Sequence, residues 1–324
     1  MPFHRSRRLA IAAGVLTLSV SVAALVTGPA QASTNAKSPI VSTATHQTPG
    51  ASGAITNGHA PGQAKRVPAT PGNHTAATPR QAVYYYGPIT VAAYTAEWIE
   101  VYCPSGTLAT SGGESNSSSG SVTLRTSYGL SNGGGWHADV TNDSGASESV
   151  TAYTVCLSGL TAYSQWEETD TSVLPNNDIA YHPMWDCPAG QSVVGGGVLS
   201  NSLALTIGEM SPGNFETPYY RGFETQVTNT DPVSAVSATS QEICAAGINN
   251  YSLWEGSVQV APGGYSLVTE TCPAGTFVVG GGGDGGWPFR YTDSRPSGNG
   301  WGIWAANAFD SATDSLYAEV ICGT

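Results

Sequence analysis

Short runs of alternating apolar and polar residues dominate the chain from about residue 83 to its end. The clearest runs are at positions 122–128, 136–142 and 301–307. A period of two over runs of this length, bounded by Gly, Asn, Asp and Ser, predicts half-buried antiparallel strands. No window beyond residue 33 combines helical spacing with good helix formers, so the sequence predicts an all-β fold with about four to six short strands per repeating unit.

The first residues of the chain follow a different pattern. Three arginines precede an apolar stretch at positions 9–26, and the small-x-small sequence of a cleavage site follows at 30–32. This order predicts a secretory signal peptide over residues 1–32. The apolar stretch is also near the length of a membrane span, but no basic stop-transfer cluster follows it. We therefore expect no integral membrane contact after the signal is cleaved.

Residues 33–82 are rich in Ser, Thr, Pro and Ala and carry almost no large apolar side chains. Such a segment buries too little surface to offset its ordering entropy, so it is predicted to be a disordered tether. Lys65-Arg66 also fits a processing site, which would make residues 33–66 a propeptide. The sequence leaves both alternatives open.

The remaining chain repeats one pattern three times. Each copy begins with Cys-Pro-x-Gly, continues with a small-residue tract eight positions past the cysteine, has an aromatic residue six positions before an asparagine, and ends on a second cysteine. This pattern predicts three tandem antiparallel β modules over residues 83–157, 158–245 and 246–324. The shared residues are Cys103, Cys187 and Cys272; Ser111, Gly195 and Gly280; Trp136, Phe223 and Trp301; Asn142, Asn229 and Asn307; and Cys156, Cys244 and Cys322.

Six cysteines in an exported chain predict disulfides, and the repeat selects one pairing of the fifteen that are possible. The predicted bonds are Cys103–Cys156, Cys187–Cys244 and Cys272–Cys322. Each closes a loop of about 50 residues, which the loop-entropy model values at about 3–4 kcal/mol. Two architectures remain open: three separate sandwich-like modules, or a single pseudo-threefold assembly resembling a β-prism.

The combination of Cys-Pro-Ala-Gly, two valines, Gly-Gly-Gly, an aromatic–Asn strand and a closing cysteine resembles repeats of secreted bacterial proteins, especially actinobacterial ones. It is also similar to modules of some phage-tail and pilus-tip adhesins. The resemblance covers residues 83–324 and implies extracellular display, with no established catalytic activity. A looser architectural resemblance is to vitelline-membrane outer-layer proteins, which have three β repeats around a pseudo-threefold axis.

Charge is distributed very unevenly. The whole chain carries a net charge of −12, but the region from residue 84 onward has only four cations against 23 acids, which gives −19. A body of this charge would be repelled by phosphates, so we expect no nucleic-acid partner. It also contains no lysine, which excludes a Walker lysine or a Schiff-base lysine. The predicted location is secreted, either extracellular or loosely associated with the cell wall.

Motifs for nucleotide, nucleophile or metal chemistry are weak. Gly280–Gly286 matches G-x-G-x-x-G but precedes Trp-Pro rather than a helix. Residues 129–133 match G-x-S-x-G in a β-turn-β context, and His137 nearby is predicted to face solvent. No cofactor is predicted; calcium remains possible at the turns that contain Asn142-Asp143 and Asp310.

Carboxylates supply the alternative function, an acid-active extracellular hydrolase. Glu167, Glu168 and Asp170 lie close together in the second module, and Glu209 follows an apolar strand there. A glycosidase needs two carboxylates at a defined separation, which a sequence does not give. No residue is therefore assigned a catalytic role. A structural component of the cell wall or spore coat is the third alternative.

Residues shared by all three modules are predicted to be scaffold, because a functional group is needed only once. Aromatic residues without equivalents in the sister modules are the better ligand-binding candidates, since a flat apolar face with a polar rim suits pyranose stacking. The leading prediction is a secreted non-catalytic β-repeat protein that binds a surface, with a glycan or cell-wall polymer as partner and its oligomeric state open. The candidate ligand-binding residues are Trp166, Trp185, Tyr219, Tyr220, Arg221, Trp287 and Trp304.

Overall fold

The computed structural model describes residues 81–117, 120–176, 178–183, 186–213 and 222–324. Within these ranges it contains 18 strands and one three-residue 3-10 helix, so the prediction of an all-β fold is confirmed. The part of the chain described includes no helix long and apolar enough to cross a membrane. The predicted signal peptide, and the predicted tether up to residue 80, lie outside the described residues.

The strands are β1 (Gln81–Val91), β2 (Ala96–Tyr102), β3 (Leu108–Asn116), β4 (Val122–Gly129), β5 (Gly135–Asn142), β6 (Glu148–Leu157), β7 (Ala162–Val173), β8 (Asp178–Pro183), β9 (Ser192–Ser200), β10 (Leu205–Pro212), β11 (Phe223–Asn229), β12 (Val236–Ala246), β13 (Ser252–Val260), β14 (Tyr265–Thr271), β15 (Phe277–Asp284), β16 (Phe289–Pro296), β17 (Gly300–Asn307) and β18 (Asp314–Gly323).

The strands form three six-stranded antiparallel sheets, each built from two repeats. Sheet A has the order β1-β6-β3-β16-β17-β14, sheet B has β2-β5-β4-β9-β12-β7, and sheet C has β13-β18-β15-β10-β11-β8. In every repeat the first, sixth and third strands enter one sheet, and the second, fifth and fourth enter another. The third strand of one repeat pairs with the fourth strand of a different repeat, which closes the three repeats into a ring. Of the two predicted architectures, the structure has the pseudo-threefold one.

The three predicted disulfides are present, and they join equivalent positions of the three repeats. The segment after each first cysteine makes a tight turn, in which the amide of the residue after Gly106, Gly190 or Gly275 donates to the proline carbonyl. These glycines have φ between 82° and 89°, a conformation that favours glycine at the third turn position. The cross-links are compatible with an extracellular protein.

A β-bulge in the third strand of each repeat lies at the centre of the ring. The extra residues are Thr110, Val194 and Val279, and all three are fully buried. The Thr110 hydroxyl donates to the Val279 carbonyl at 2.6 Å. A Cβ on Gly195 would overlap the Thr110 carbonyl, and one on Gly280 would overlap the Val194 carbonyl. The three bulges therefore contact one another in a closed triangle.

Each position of the small-residue tracts has its own neighbour. The first position faces the bulges; Ser111 fits there because Gly195 and Gly280 leave room for its side chain. The second position lies against the conserved aromatic ring of the same repeat, Trp136, Phe223 or Trp301. The third position, Gly113, Gly197 or Gly282, contacts the backbone of the strand from the neighbouring repeat. The tract and the aromatic residue are thus two halves of one packing arrangement.

The aromatic rings of the repeats vary together with their partners. Trp136 donates to Ser127 at 2.9 Å, and Trp301 donates to Ser294 at 3.2 Å. Repeat 2 has Phe223, and the strand register places Met210 where the other two repeats have serine. Replacing the donor and the acceptor together leaves no buried polar group unpaired.

The conserved asparagines confirm the prediction that shared residues are scaffold. The side-chain amide of Asn142 donates to the carbonyls of Val91, Ala92 and Ala146. Asn229 and Asn307 make the corresponding bonds to their own first strands and following loops. Each asparagine therefore ties three segments of its repeat together.

The predicted alternation in the fourth strand of repeat 1 is wrong beyond Leu124. A bulge at Arg125 shifts the register between Leu124 and Thr126, so Ser127 rather than Thr126 joins Val122 and Leu124 on the core side. The same shift occurs in β10 and β16. It turns Thr126, Glu209 and Asp293 toward the outward side of their sheets.

Tyrosine hydroxyls link successive repeats. Tyr163 donates to the Ala109 carbonyl at 2.8 Å, and Tyr251 donates to the Val193 carbonyl at 3.0 Å. These carbonyls immediately precede the central bulges. Gln81 has the corresponding register position in repeat 1. The joint between repeats 3 and 1, in sheet A, is therefore made by other contacts, among them the bond from Thr110 to Val279.

Replacing Gly195 by Ala should destabilise the whole ring, because the added methyl group would meet the Thr110 carbonyl and the Ser111 side chain. We expect a loss of about 1–3 kcal/mol in the free energy of unfolding, measured by denaturant titration. Gly134→Ala is the matched control: Gly134 is exposed, has φ −68°, and its nearest atom would lie 3.5 Å away. Equal stability of the two variants would contradict the central packing described above.

Candidate functional site

The inward sides of the three sheets are nearly equivalent, whereas their outward sides differ. Equivalent outward positions in the three sheets are found by following the residues paired across the strands from the third glycine of each tract, Gly113, Gly197 or Gly282. Sheet A has Tyr85 and Tyr153 opposite Gly113, and sheet C has Glu255 and Glu319 opposite Gly282. The outward sides therefore carry the differences that a function needed once would require.

One row of aromatic and charged side chains crosses the outward side of sheet A, with at least one residue from every strand. We call this row the band. With strands about 4.8 Å apart, it spans about 24 Å across the sheet. Its residues are Tyr85 (β1), Tyr153 (β6), Ser115 (β3), Asp293 and Arg295 (β16), Trp304 (β17), and Tyr265 and Leu267 (β14).

The half of the band from repeat 1 is a pair of tyrosines. The ring centroids of Tyr85 and Tyr153 are 6.2 Å apart, and Tyr85 is 41% exposed. The Ser115 hydroxyl donates to the Tyr153 hydroxyl at 3.4 Å. The Arg295 guanidinium carbon lies 5.8 Å from the Tyr153 ring centroid, which is a cation–π distance. This contact links the two repeats across the joint.

The half from repeat 3 contains an ion pair beside an aromatic cluster. The Arg295 Nε donates to both carboxylate oxygens of Asp293, at 3.0 and 3.1 Å. Asp293 pairs across the strands with Trp304, which in turn pairs with Leu267. The rings of Trp304 and Tyr265 are 5.9 Å apart, and Tyr265 and Leu267 remain 48% and 45% exposed.

A buried acid lies behind the ion pair, at the joint itself. Glu114 of β3 is opposite Ser294 of β16 and is fully buried. Burial and the nearby Asp293 charge raise the pKa of Glu114 well above its usual range. Burial also raises the pKa of Asp293 to about 7, although Arg295 acts in the opposite direction. Both groups favour the folded state more at acid pH than at alkaline pH.

The equivalent row on sheet C is strongly acidic. Glu255 and Glu319 replace the two tyrosines, Asp284 replaces Ser115, and Glu209 replaces Asp293. The Ser211 hydroxyl donates to Glu209 at 3.1 Å, at the register position that Arg295 has in sheet A. The row on sheet C therefore has carboxyl groups at four of the positions that the band fills with tyrosines, a serine and Asp293.

Sheet B carries a compact cluster around His137 instead. The two ring nitrogens of His137 lie 3.1 Å from Glu100 and 3.1 Å from Asp139. Trp98 stacks on the imidazole at 5.8 Å and Tyr128 lies at 4.9 Å. His137 was predicted to face solvent, but its side chain is only 13% exposed because these neighbours cover it. Its partners satisfy it within the sheet.

The predicted ligand-binding residues do not come together. Trp304 lies in the band, whereas Trp287 lies in the loop between β15 and β16 and packs on Phe309 at 6.4 Å. Trp166 lies on the edge strand β7 of sheet B. The remaining candidates, Trp185, Tyr219, Tyr220 and Arg221, lie outside the described residues.

Trp166 is also not unique to its module, contrary to the prediction. Trp254 has the same register position in repeat 3, two residues beyond the residue that pairs with the closing cysteine. Each indole donates to a serine hydroxyl two residues earlier, Ser164 or Ser252, at 3.2 Å. A repeated arrangement of this kind indicates a feature of the repeat rather than of one site.

The residues considered for hydrolysis are dispersed. Ser131 lies in the 3-10 turn, while both nitrogens of His137 face carboxylates on sheet B. Glu167 and Glu168 are exposed on edge strand β7, whereas Glu209 is buried in sheet C.

The side-chain oxygens of two of the residues considered for metal binding accept hydrogen bonds from backbone amides. Asn142 and Asp310 hydrogen bond within their own turns. In the described part of the chain, one close group of metal-ligand types occurs, Glu242 with Cys187 and Cys244. Those two sulfurs are joined in a disulfide, so they are not thiolate ligands.

Most band residues were not selected from the sequence. Arg295 could have been noticed as one of the four cations of the body. Tyr85 and Tyr153 stand out only when the strand register aligns them with Glu167 and Gln241 of sheet B and with the acids of sheet C. Neither the protein-family models nor the curated proteins include a match to this chain.

His137 should make the stability of the protein depend on pH. Burial opposes its ionisation, but hydrogen bonds to Asp139 and Glu100 outweigh burial and raise the pKa of His137 to about 9. The stabilisation is complete below the unfolded pKa of about 6.5 and is lost as the pH rises through 9. The stability difference between wild type and His137→Gln, from denaturant titrations, should shrink by about 2–3 kcal/mol over this range. A difference that does not change with pH would contradict the ion-pair geometry.

Proposed function

We propose that this protein is secreted and binds carbohydrate, with the band on sheet A as its binding surface. The observation that carries the proposal is a row of four aromatic rings, two of them exposed, that together with one ion pair and Ser115 crosses all six strands of a single sheet. Sugar rings bind to flat apolar faces bordered by hydrogen-bonding groups. At the positions equivalent to Tyr85 and Tyr153, sheet B has Glu167 and Gln241, and sheet C has Glu255 and Glu319.

The form of the band suits an extended chain of sugars. A span of about 24 Å favours an oligosaccharide lying across the strands over a single sugar. Tyr265 and Trp304 provide stacking faces at one end, and Tyr85 and Tyr153 provide them at the other. Arg295 and Ser115 between them supply donors and an acceptor for hydroxyl groups.

Anchoring of the side chains supports binding with little loss of entropy. The rings lie on paired strands rather than on loops, and the Arg295 guanidinium is held by Asp293 and by the Tyr153 ring. Preorganised groups of this kind lose less conformational freedom when a ligand binds. Three disulfides and the ring closure stabilise the sheet on which they lie.

Glycan arrays and pull-downs with insoluble polysaccharides test this proposal. We expect the wild-type protein to bind, and Tyr265→Ala or Trp304→Ala to weaken binding by about tenfold or more. Trp254→Ala is the matched control, because Trp254 is 45% exposed but lies on sheet C. Binding to no glycan, or an equal loss in the Trp254 and Trp304 variants, would overturn the assignment.

A further inference from the structure

Arg295 is the cation of the band. It lies in the middle of the band, where strands from repeat 1 and repeat 3 meet, and its side chain is 30% exposed. Asp293 contacts the Nε edge of the guanidinium, and Tyr153 is its other hydrogen-bonding neighbour. The two terminal Nη groups form a further edge of a guanidinium that can bind a carboxylate through two parallel hydrogen bonds.

We propose that the band selects glycans that carry carboxylate groups, that the Nη groups of Arg295 bind the carboxylate, and that the negative charge of Asp293 on the Nε edge opposes this binding. This inference rests on the proposed function of the band and specifies its ligand class. Binding at neutral and alkaline pH is then coupled to the uptake of a proton by Asp293 from solvent. An acidic medium favours the complex, and an alkaline one favours the internal ion pair.

The charge distribution over the three sheets supports an anionic ligand on sheet A. Asp293, whose charge Arg295 balances, is the acid of the band. The equivalent row on sheet C contains four acids, Glu209, Asp284, Glu255 and Glu319. On sheet B the corresponding positions include Asp139 and Glu167. The band combines an arginine with a single outward acid, which suits the approach of an anionic polymer.

Because Asp293 is buried, its carboxylate can take up a proton and become neutral when a ligand carboxylate binds Arg295. The residue is only 1% exposed, and Glu114 lies behind it on β3 with no exposed surface. Two carboxylates in such a place disfavour each other's ionisation, and burial raises the pKa of Asp293 to about 7 even though the charge of Arg295 acts in the opposite direction. Arg295 on the same strand is the cation that opposes this shift.

The other groups near the Arg295–Asp293 pair do not serve as the titrating acid next to the guanidinium. Tyr153 of β6 lies under the guanidinium and is not a carboxylic acid. Trp304 and Leu267 of the neighbouring strands do not ionise. Glu114 is the second acid that could affect binding, and the variant Glu114→Gln separates its contribution from that of Asp293.

Isothermal titration calorimetry with two forms of one ligand tests the inference. The probes are a linear oligogalacturonate, which has a carboxylate on every sugar, and the same oligomer with its carboxylates methyl-esterified. We expect the acid form to bind wild type about tenfold more tightly near pH 5.5 than near pH 8, and the ester to show little change. Titrations near pH 7 in buffers of different ionisation enthalpy should show proton uptake with the acid form only.

Two variants identify the residues responsible. Asp293→Asn keeps an acceptor for Arg295 but cannot ionise, so its affinity for the acid form near pH 8 should rise to the value that wild type has near pH 5.5. Arg295→Gln should bind the acid and the ester equally at both pH values. Glu114→Gln should keep the pH dependence.

Each outcome has one meaning. Equal binding of acid and ester to wild type overturns the inference and leaves the proposed carbohydrate function in place. A pH dependence that persists in Asp293→Asn overturns the role of Asp293. Failure of wild type to bind either form at either pH overturns the inference, and the glycan array then decides separately whether the band binds any carbohydrate. The wild-type comparison needs no variant, so a variant that fails to fold does not prevent the test.

Discussion

The close approach of three bulged strands at the centre of the ring is the constraint on which the rest of the structure depends. Thr110, Val194 and Val279 meet there, and they do so because the next position in each strand has little or no side chain. This contact sets how far apart the sheets lie. It thereby fixes the space for the aromatic rings over the second glycine and the strand pairing at the third. Close packing allows such a centre few alternatives.

The threefold repetition separates the residues that hold the fold from those that can serve a single function. Inward positions are repeated or vary together, as when repeat 2 replaces both Trp and its serine partner by Phe223 and Met210. Outward positions are not subject to this constraint, because they lie on the sides of the sheets that face away from the shared core. The same backbone consequently presents aromatic rings on sheet A, a histidine cluster on sheet B and carboxylates on sheet C.

The sequence was sufficient to predict the strands, the three modules and the disulfides, because periodicity and repetition are local or pairwise features. It did not distinguish separate modules from a shared ring, since that choice depends on which strands pair between repeats. The sequence also did not identify Thr110 and Arg125 as the residues that form bulges, although these bulges decide which side chains face outward. Trp304 alone was selected for the band, because the other members are recognised by register rather than by type.

The location of the band follows from the way the ring closes. Repeats 1 and 2, and repeats 2 and 3, are linked by Tyr163 and Tyr251, whereas sheet A joins the first repeat to the last. Arg295 and Tyr153 make their contact across this joint, and Glu114 and Asp293 place two poorly solvated carboxyls within it. A ligand lying along the band would touch both repeats and so favour the closed ring. Acid conditions also favour the closed ring, because they protonate the buried carboxyl groups of Glu114 and Asp293. The proposed binding would therefore depend on the same groups that form the joint.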